Sequence, residues 1–272
     1  MSADRPADGA RFYRPRFLPG VELVSVAYND RRFPEHSHEE YVIGAVTAGA
    51  ETLTVGRKQH IADVGTVLRL NPGEAHANTT IGTETLRYSV LYVPKAIVTS
   101  FLDADAALPR FGSTVSKRAD LFHQVRAVHA TLACAASGKL EQESALSSLV
   151  HAFKSHVPSR SSEPATSPVT TENMRQFIEK NFTSVFGLHD LSSLTGLSTF
   201  HLVRTFKKRF GLTPLAYRDQ LRMIEARRLL LAGQPISQIG LTLGYADQSH
   251  FTRQFQRVVG TSPQRYTRGT KD

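Results

Sequence analysis

The sequence has little of two features that define other classes of protein, namely cysteine and long apolar runs. Cys134 is the single cysteine among 272 residues, which excludes an internal disulfide and a thiolate zinc cluster. We expect it to be a small, buried or half-buried apolar side chain. No stretch approaches the roughly 20 apolar residues of a membrane span, and the opening MSADRPADGARFYRPRF lacks the apolar core of a signal peptide. We therefore expect a cytoplasmic protein that does not contact membranes.

Positive charge is in excess and is unevenly distributed. The formal net charge is +9. Residues 171–272 hold 15 Lys and Arg against 7 Asp and Glu, whereas residues 1–170 hold 18 against 17. A basic region beside a near-neutral one is typical of a protein that binds a polyanion, most often nucleic acid. Charge alone leaves open a solvated basic surface without a partner.

The local pattern of the chain changes along its length. From Gly20 to about Pro94, short β-rich runs alternate with turn residues, which predicts a sandwich or small barrel. Between Lys117 and His156 the apolar spacing becomes helical, and the next stretch, VPSRSSEPATSPVTT, has the composition of a linker. The predicted class is multidomain α+β. In chain order we predict a β-barrel domain in residues 1–115, a helical hairpin in 116–156, a linker in 157–170 and an all-α domain in 171–272.

Each helix of the predicted hairpin carries an apolar stripe. The stripes consist of Leu121, Val125, Val128 and Leu132, and of Leu146, Leu149, Val150 and Phe153. Apolar stripes pack against a core or against another helix. The sequence leaves two alternatives open: the helices pack on the barrel, or they pair two subunits in a homodimer.

The all-α region contains one segment twice. LVRTFKKRFGLTPLAY and FTRQFQRVVGTSPQRY match at a fixed offset of 49 residues, which indicates a duplicated unit. Each copy follows a short amphipathic segment with a glycine, Gly196 or Gly244, as in a helix-turn-helix, where glycine takes the positive φ of the sharp turn. A breaker-free helix from Leu215 to Ala232, roughly 27 Å long, joins the copies. One chain would thus place two helices in adjacent major-groove segments, about 34 Å apart.

The second helix of each unit carries side chains suited to DNA on the face opposite its apolar residues. Arginine can bond guanine bidentately, glutamine can bond adenine, and apolar atoms can touch a thymine methyl group. A solvated surface is the alternative for any one of these positions. We predict DNA contacts from Ser198, Thr199, Phe200, His201, Val203, Arg204 and Lys207, and from Gln248, Ser249, His250, Thr252 and Arg253.

Residues from about Thr171 to Arg268 resemble the DNA-binding domain of the AraC/XylS transcriptional regulators. The segment GYADQSHFTRQFQRVVGTSPQRYTR is similar to their signature over nearly its full length. The resemblance implies binding to double-stranded promoter DNA, activation of transcription and contact with RNA polymerase. It also implies that the first reading helix presents Phe200, Val203 and Arg204, and the second Gln248, Ser249, His250 and Arg253.

The amino-terminal segments PEHSHEEYVIGAVTAG and GTVLRLNPGEAHANT resemble the two cupin motifs. In metal-binding cupins, two histidines spaced HxH, a glutamate and a third histidine converge inside the barrel. His36, His38 and His76 occupy the histidine positions, whereas the glutamate position falls on Val42 or Ile43. Three imidazoles can hold a divalent ion, but the missing carboxylate weakens that case. We expect structural or polar histidines and no metal or cofactor.

The same segments resemble the effector-binding domains of AraC-type regulators, which bind a small molecule without chemistry. Strand alternation that points Tyr41 inward also points Ile43 and Ala45 inward. The predicted effector pocket, suited to a small polar or anionic molecule, is lined by His36, His38, Tyr41, Arg69, His76 and Tyr88. The leading hypothesis is a ligand-controlled transcriptional regulator that is not an enzyme. The alternatives are a metal-dependent cupin enzyme fused to a DNA-binding domain, and a barrel that serves only dimerisation.

Overall fold

The chain folds into two compact units. The structure, a computed structural model, describes residues 9–102, 106–154 and 168–268. Ten strands and three helices precede residue 155 in the described ranges, and seven helices follow from Pro168. We call these two parts the β domain and the helical domain. The predicted α+β class, with strands first and an all-α region last, is confirmed.

The strands of the β domain form two sheets. They are β1 (Gly9–Tyr13), β2 (Glu22–Tyr28), β3 (Arg32–His36), β4 (Tyr41–Ala48), β5 (Ala50–Val55), β6 (Lys58–Asp63), β7 (Val67–Leu70), β8 (His76–Ile81), β9 (Leu86–Val93) and β10 (Val115–Ser116). One sheet has the order β1-β2-β9-β4-β7-β10, and the other has the order β3-β8-β5-β6. Because β10 pairs with β7, the first sheet continues past the predicted domain boundary at residue 115.

Helices cover the outer face of the six-stranded sheet. They are α1 (Lys95–Ser100), α2 (Ala119–Ala133) and α3 (Lys139–Lys154). Both predicted stripes are buried in one apolar cluster together with Tyr41, Ile43 and Ala45 of β4. Of the two alternatives, the stripes therefore pack on the sheet. Cys134 ends α2 and is exposed, so the expectation that it is buried is wrong, because it lies past the last turn of the apolar stripe.

The helical domain consists of two helix-turn-helix units that share a long helix. Its elements are α4 (Pro168–Asn181), α5 (Leu188–Thr195), α6 (Thr199–Phe210), α7 (Pro214–Leu231), α8 (Ile236–Thr242), α9 (Gln248–Val259) and α10 (Pro263–Arg268). Helix α4 begins inside the predicted linker, whose residues 157–167 lie outside the described ranges. Helix α7 has the predicted length within one residue at each end. Among the described residues, no helix is both long and apolar enough to cross a membrane.

Separate aromatic and aliphatic cores support the two units of the helical domain. In the first, Leu202 and Phe206 of α6 are fully buried with residues of α4 and α5. In the second, Phe251 and Phe255 of α9 are fully buried, and the ring of Phe255 lies 5.6 Å from that of Tyr266. Burial of one such ring contributes roughly 1.5–3 kcal/mol. Packing at a four-residue spacing leaves the opposite face of each helix available to solvent.

The buried guanidinium of Arg222 on α7 connects the two units. It donates to the carbonyl oxygens of Phe182 at 2.6 Å and Ser184 at 2.9 Å, between α4 and α5, and to that of Gly244 at 3.3 Å, in the turn before α9. Arg222 is only 5% exposed. The sequence places it in a row with Glu225 and Arg228 at i,i+3 spacing, but only those two form a surface ion pair. Backbone carbonyls replace the water that burial removes from Arg222.

Gly244→Ala is predicted to destabilise the helical domain strongly. Gly244 has φ +76, and a Cβ atom there would lie 2.2 Å from the carbonyl oxygen of Thr183. Left-handed backbone costs a non-glycine residue about 1–2 kcal/mol, and the steric overlap adds to this cost. We expect a total loss of more than about 3 kcal/mol in the free energy of unfolding, measured by urea unfolding with helical circular dichroism.

Gly196→Ala is the matched control for this substitution. Gly196 occupies the equivalent turn of the first unit with φ +69, but no atom lies within 4 Å of an added Cβ. The Gly196→Ala variant should lose about 1–2 kcal/mol of the free energy of unfolding, which is the cost of left-handed backbone at a non-glycine residue. Equal losses in the two variants would contradict the steric argument.

Candidate nucleic-acid interface and effector pocket

Helix α6 presents a polar and aromatic face to solvent. Ser198 is its N-cap and accepts a hydrogen bond from the backbone N–H of His201, which satisfies one of the free amide groups at the helix start. Phe200 is 76% exposed, so a large apolar ring lies on this face beside the polar side chains. Six of the seven predicted contact positions are exposed: Ser198, Thr199, Phe200, His201, Arg204 and Lys207.

Helix α9 repeats this arrangement in the second unit. Asp247 is the N-cap and accepts a hydrogen bond of 2.7 Å from the backbone N–H of His250. Gln248, Ser249 and Arg253 are exposed. The first turn and the following turn of α9 therefore present an amide, a hydroxyl and a guanidinium on one surface, the groups that read base edges in a major groove.

Three predicted contact positions are less accessible than the others. Val203 is partly buried and packs against the core of the first unit. His250 is partly buried, and its ring lies edge-on to that of Tyr245 at 5.3 Å. Thr252 is also partly buried. Val203 and His250 therefore also pack against their own helix-turn-helix units.

The interior between the two sheets of the β domain contains a polar cluster. Glu51 of β5 is only 2% exposed and accepts a hydrogen bond of 2.8 Å from Asn78 of β8. Asn78 also hydrogen-bonds Tyr88 of β9, and Tyr88 interacts electrostatically with Glu51 and Tyr92. Because β5 and β8 lie in one sheet and β9 in the other, these side chains meet in the space that the sheets enclose.

Burial changes the acidity of two groups in this cluster. Removal from water raises the pKa of Glu51 to about 7, against the opposing effect of the hydrogen bond from Asn78. Burial, followed by the nearby Glu51 charge, raises the pKa of Tyr88 well above its ordinary value. Both groups can therefore donate a hydrogen bond to a molecule in the interior near neutral pH.

Two residues predicted to line the pocket lie on the other face of the six-stranded sheet. Tyr41 packs edge-on to Phe111 at 5.7 Å and donates a hydrogen bond to the carbonyl of Pro109. The guanidinium of Arg69 lies 5.8 Å from the same Phe111 ring. The predicted inward orientation of Tyr41, with Ile43 and Ala45, is therefore wrong. The helix pair supplies a second apolar layer outside the sheet, so both faces of β4 are buried and alternation alone does not identify the inner face.

The three cupin-motif histidines converge at one position of the β domain. His36 ends β3, His76 begins β8, and His38 lies between β3 and β4. One ring nitrogen of each lies within 4.8 Å of the others. The ring of His38 lies 5.3 Å from that of His76 and 4.9 Å from that of Tyr92. Burial lowers the pKa of His36, which favours a neutral imidazole at neutral pH.

The sequence predictions therefore identify part of the interior. The structure brings His36, His38 and His76 together and places Tyr88 between the sheets, but it adds Glu51, Asn78 and Tyr92 to the lining. Glu51 alternates with the partly exposed threonines of ETLTV, which is the signal that could have identified it. A lone glutamate in a strand more often faces solvent, however.

Comparisons with protein families cover both domains. The family described as AraC-like ligand binding domain matches residues 18–153. The family described as helix-turn-helix domain matches residues 191–269. The first match includes all three cupin-motif histidines, and the second includes helices α6 and α9.

Individual relatives match most of the chain or one part of it. The uncharacterized HTH-type transcriptional regulator YbfI of Bacillus subtilis (strain 168) is 30% identical over 225 residues, which are 81% of this chain and 82% of YbfI. The arabinose operon regulatory protein of Escherichia coli (strain K12) is 29% identical over 90 residues, 33% of this chain and 31% of that protein. The fatty-acid-bound ToxT structure from Vibrio cholerae strain SCE256 covers 92% of this chain and 95% of ToxT, with a TM-score of 0.53 and 13% identity. At that identity the likeness shows a shared fold.

Glu51→Gln is predicted to remove a pH dependence of stability. The ordinary pKa of a glutamate is 4.5, and that of Glu51 is about 7. Between these values the folded protein retains a proton that the unfolded chain releases, so rising pH lowers the free energy of unfolding. The full loss is roughly 3 kcal/mol. A glutamine side chain cannot ionise. The variant should therefore not show this fall in the free energy of unfolding when urea midpoints are compared at pH 5 and pH 8.

Tyrosine fluorescence suits this measurement, because five of the eight tyrosines precede residue 155 and the chain has no tryptophan. Glu84→Gln is the control, since Glu84 lies in an exposed turn. It should keep the pH dependence of the parent protein. A parent protein equally stable at both values would show that Glu51 does not retain its proton.

Proposed function

Because this chain belongs to the AraC family of transcriptional regulators, we propose that α6 and α9 read promoter DNA and that a small molecule bound between the sheets of the β domain controls this activity. The protein acts as an activator. DNA binding is supported by the exposed face that occurs in both helix-turn-helix units. Each of the two capped helices buries aromatic rings on one side, and on the other side they present Phe200, Arg204, Gln248 and Arg253.

The charge of the carboxyl-terminal region supports a DNA partner. Residues 171–272 carry a formal excess of eight positive charges. Arginine and lysine at the surface displace counterions from phosphates, which provides affinity without sequence preference. Base-edge contacts from α6 and α9 then provide the selectivity. Both contributions are required for a regulator that finds one promoter among many sites.

The interior of the β domain supports a small polar effector. Glu51, Asn78 and Tyr88 offer donors and acceptors beside the buried apolar side chains of Val42 and Val90. An apolar enclosure with a few convergent polar groups is typical of small-molecule sites. The effector would replace the hydrogen bonds these groups make with one another, so its shape and polarity determine binding. ToxT, whose structure contains a bound unsaturated fatty acid, shares the fold.

The proposal also includes RNA polymerase and a second copy of the chain as partners. Effector binding alters DNA occupancy or contact with RNA polymerase by favouring one of two states of the protein. A homodimer would bring four reading helices to DNA and raise the apparent affinity. The apolar stripes of α2 and α3 are already covered by the sheet, so self-association would use their polar outer faces. The relatives described above are regulators, and we propose no catalytic role.

Arg253→Ala is predicted to weaken binding to the cognate promoter by about 1–3 kcal/mol and to relax the preference at one base pair. Arg253 is exposed on α9, where its guanidinium can bond guanine bidentately. Operator DNA is first selected from genomic fragments that the protein retains. The measurement is then a binding titration with this operator and with single-base variants of the operator. The affinity should also fall as salt concentration rises.

Arg228→Ala provides the charge-matched control. Arg228 is exposed on α7 and pairs with Glu225. Its removal should change the affinity for all sequences by a similar, small amount. If Arg253→Ala weakens every sequence equally, Arg253 contacts phosphate and does not read a base. If neither the parent protein nor any fragment shows salt-dependent retention of DNA, the proposed function fails.

Asn78→Val is predicted to weaken effector binding at least tenfold, about 1.4 kcal/mol, without changing DNA affinity in the absence of effector. The substitution shortens the side chain by one heavy atom and removes the amide group that contacts Glu51 and Tyr88. Effectors would be found as small polar molecules that raise the melting temperature of the parent protein, and affinities would be measured by calorimetry.

Thr79→Val is the neighbouring control on β8, since successive strand residues point to opposite faces. It should bind the effector like the parent protein. An effector that binds both variants equally would locate the site elsewhere. Should no small molecule bind, the β domain would retain only a structural or dimerisation role.

A further inference from the structure

Arg69 is a buried cation on the outer face of the six-stranded sheet. It belongs to β7, and the residue is only 5% exposed. Its backbone N–H donates to the carbonyl oxygen of Thr114 at 2.8 Å, and its guanidinium lies over the ring of Phe111. Arginine stays protonated in proteins. Folding therefore removes a full positive charge from water at this position.

The part of the chain that the structure describes supplies no acceptor for this charge. No ion pair or hydrogen bond joins the guanidinium of Arg69 to a described residue, and its Nε is buried without a partner. Arg222, which is equally buried, donates instead to three backbone carbonyls. A buried guanidinium without an acceptor destabilises a protein unless an anion from outside compensates it.

The surroundings of Arg69 are positively charged. Burial, followed by the charge of Arg118, lowers the pKa of Arg69. Arg118 is the N-cap of α2, and the free amide groups at the start of a helix also favour an anion. Arg110, which is exposed, directly precedes Phe111 in the chain. Two cations and a helix start therefore lie around a third cation that has no counterion among the described residues.

Two carboxylates lie near these arginines in the sequence, and both have other partners. Asp120 forms an ion pair with Arg118 at the surface. Glu74 accepts hydrogen bonds from the backbone and the side chain of Asn71, at 2.9 and 3.1 Å. The side chain of Asn71 in turn exchanges two hydrogen bonds with the backbone of Phe111, which fixes the aromatic residue beneath Arg69. Neither carboxylate is therefore available to Arg69 in this arrangement.

We propose that Arg69 binds a small oxyanion, a carboxylate or a phosphate group, at the outer face of the sheet. A guanidinium presents its donors as a rigid planar fork that matches two oxygens of either group. Because Arg69 is so little exposed, only a terminal group of a small molecule reaches it, and the phosphates of a DNA duplex do not. The site lies on the opposite face of the sheet from the polar cluster around Glu51, so it does not depend on the proposed function.

The direct test is an NMR titration of the full-length protein labelled with ¹⁵N-arginine. Sodium acetate and inorganic phosphate are added separately, with sodium chloride adjusted to keep the ionic strength constant. The Nε–Hε signal of Arg69 is identified by its absence from the Arg69→Lys variant. We expect this signal to shift and to saturate with at least one of the two anions, and the anion that saturates it distinguishes a carboxylate site from a phosphate site. A signal that saturates with neither anion would overturn the proposal.

Arg69→Met tests the same site through stability. In chloride the variant should melt at or above the temperature of the parent protein, because an apolar side chain of similar length replaces an unpaired buried charge. At about five times its Kd, the bound anion should raise the melting temperature of the parent by about 2–4 °C. The same addition should leave Arg69→Met unchanged. Tyrosine fluorescence follows the transition.

Arg126→Met is the matched control, because Arg126 is exposed on α2 and lies over the ring of Phe122. It loses the same charge and should respond to the anion like the parent protein. A lower melting temperature of Arg69→Met in chloride, together with an unchanged response to the anion, would show that Arg69 has only a structural role. If Arg69→Met does not fold, the NMR titration of the parent protein decides between the two outcomes.

Discussion

The two reading helices depend on one buried charge. The guanidinium of Arg222 on α7 donates to carbonyls between α4 and α5 and to the carbonyl of Gly244, just before α9. Each helix-turn-helix unit has its own apolar core, and the core of the first unit includes Leu215, Tyr217 and Leu221 of the shared helix. The guanidinium of Arg222 adds a directional restraint, because its rigid set of donors contacts both units. Under the proposed function, α6 and α9 enter successive segments of one groove, and such a restraint would limit errors in their placement.

The burial of Arg222 is tolerated because its hydrogen bonds replace water. An unpaired buried guanidinium would destabilise the domain by several kcal/mol. Its partners are backbone carbonyls at turns and helix ends, which the helices themselves leave without partners. The close approach of Gly244 to Thr183 belongs to the same arrangement, since a side chain there would occupy the space of the Arg222 contact.

The two faces of the six-stranded sheet in the β domain differ in polarity. The outer face of the six-stranded sheet is apolar and covered by α2 and α3, which provides the stable core. The inner face meets the second sheet around Glu51, Asn78 and Tyr88. Polar groups at that position cost stability unless they are satisfied. The buried carboxyl of Glu51 lies at the position where we propose that a small molecule binds.

Several features could be read from the sequence because they depend on neighbours along the chain. The repeat at 49 residues, the turn glycines, the caps at Ser198 and Asp247 and the long helix between the copies are all local signals. Helical spacing separates a buried face from an exposed face, and so the exposed positions of α6 and α9 were largely predictable. Cupin-like spacing likewise identified the three histidines as a group.

Other features were decided by packing between distant segments. Tyr41 and Arg69 lie on the outer face because the helix pair covers the sheet, and a strand buried on both sides carries no polar alternation to reveal its inner face. Glu51 is interior because β5 and β8 face β9 across the domain, and Arg222 is buried because loops 22 to 40 residues away supply its partners. The sequence by itself determined the two domain types, the duplicated reading helices and the histidine group. Tertiary structure alone decided which polar side chains lose contact with water, because that loss depends on segments that meet only when the chain folds.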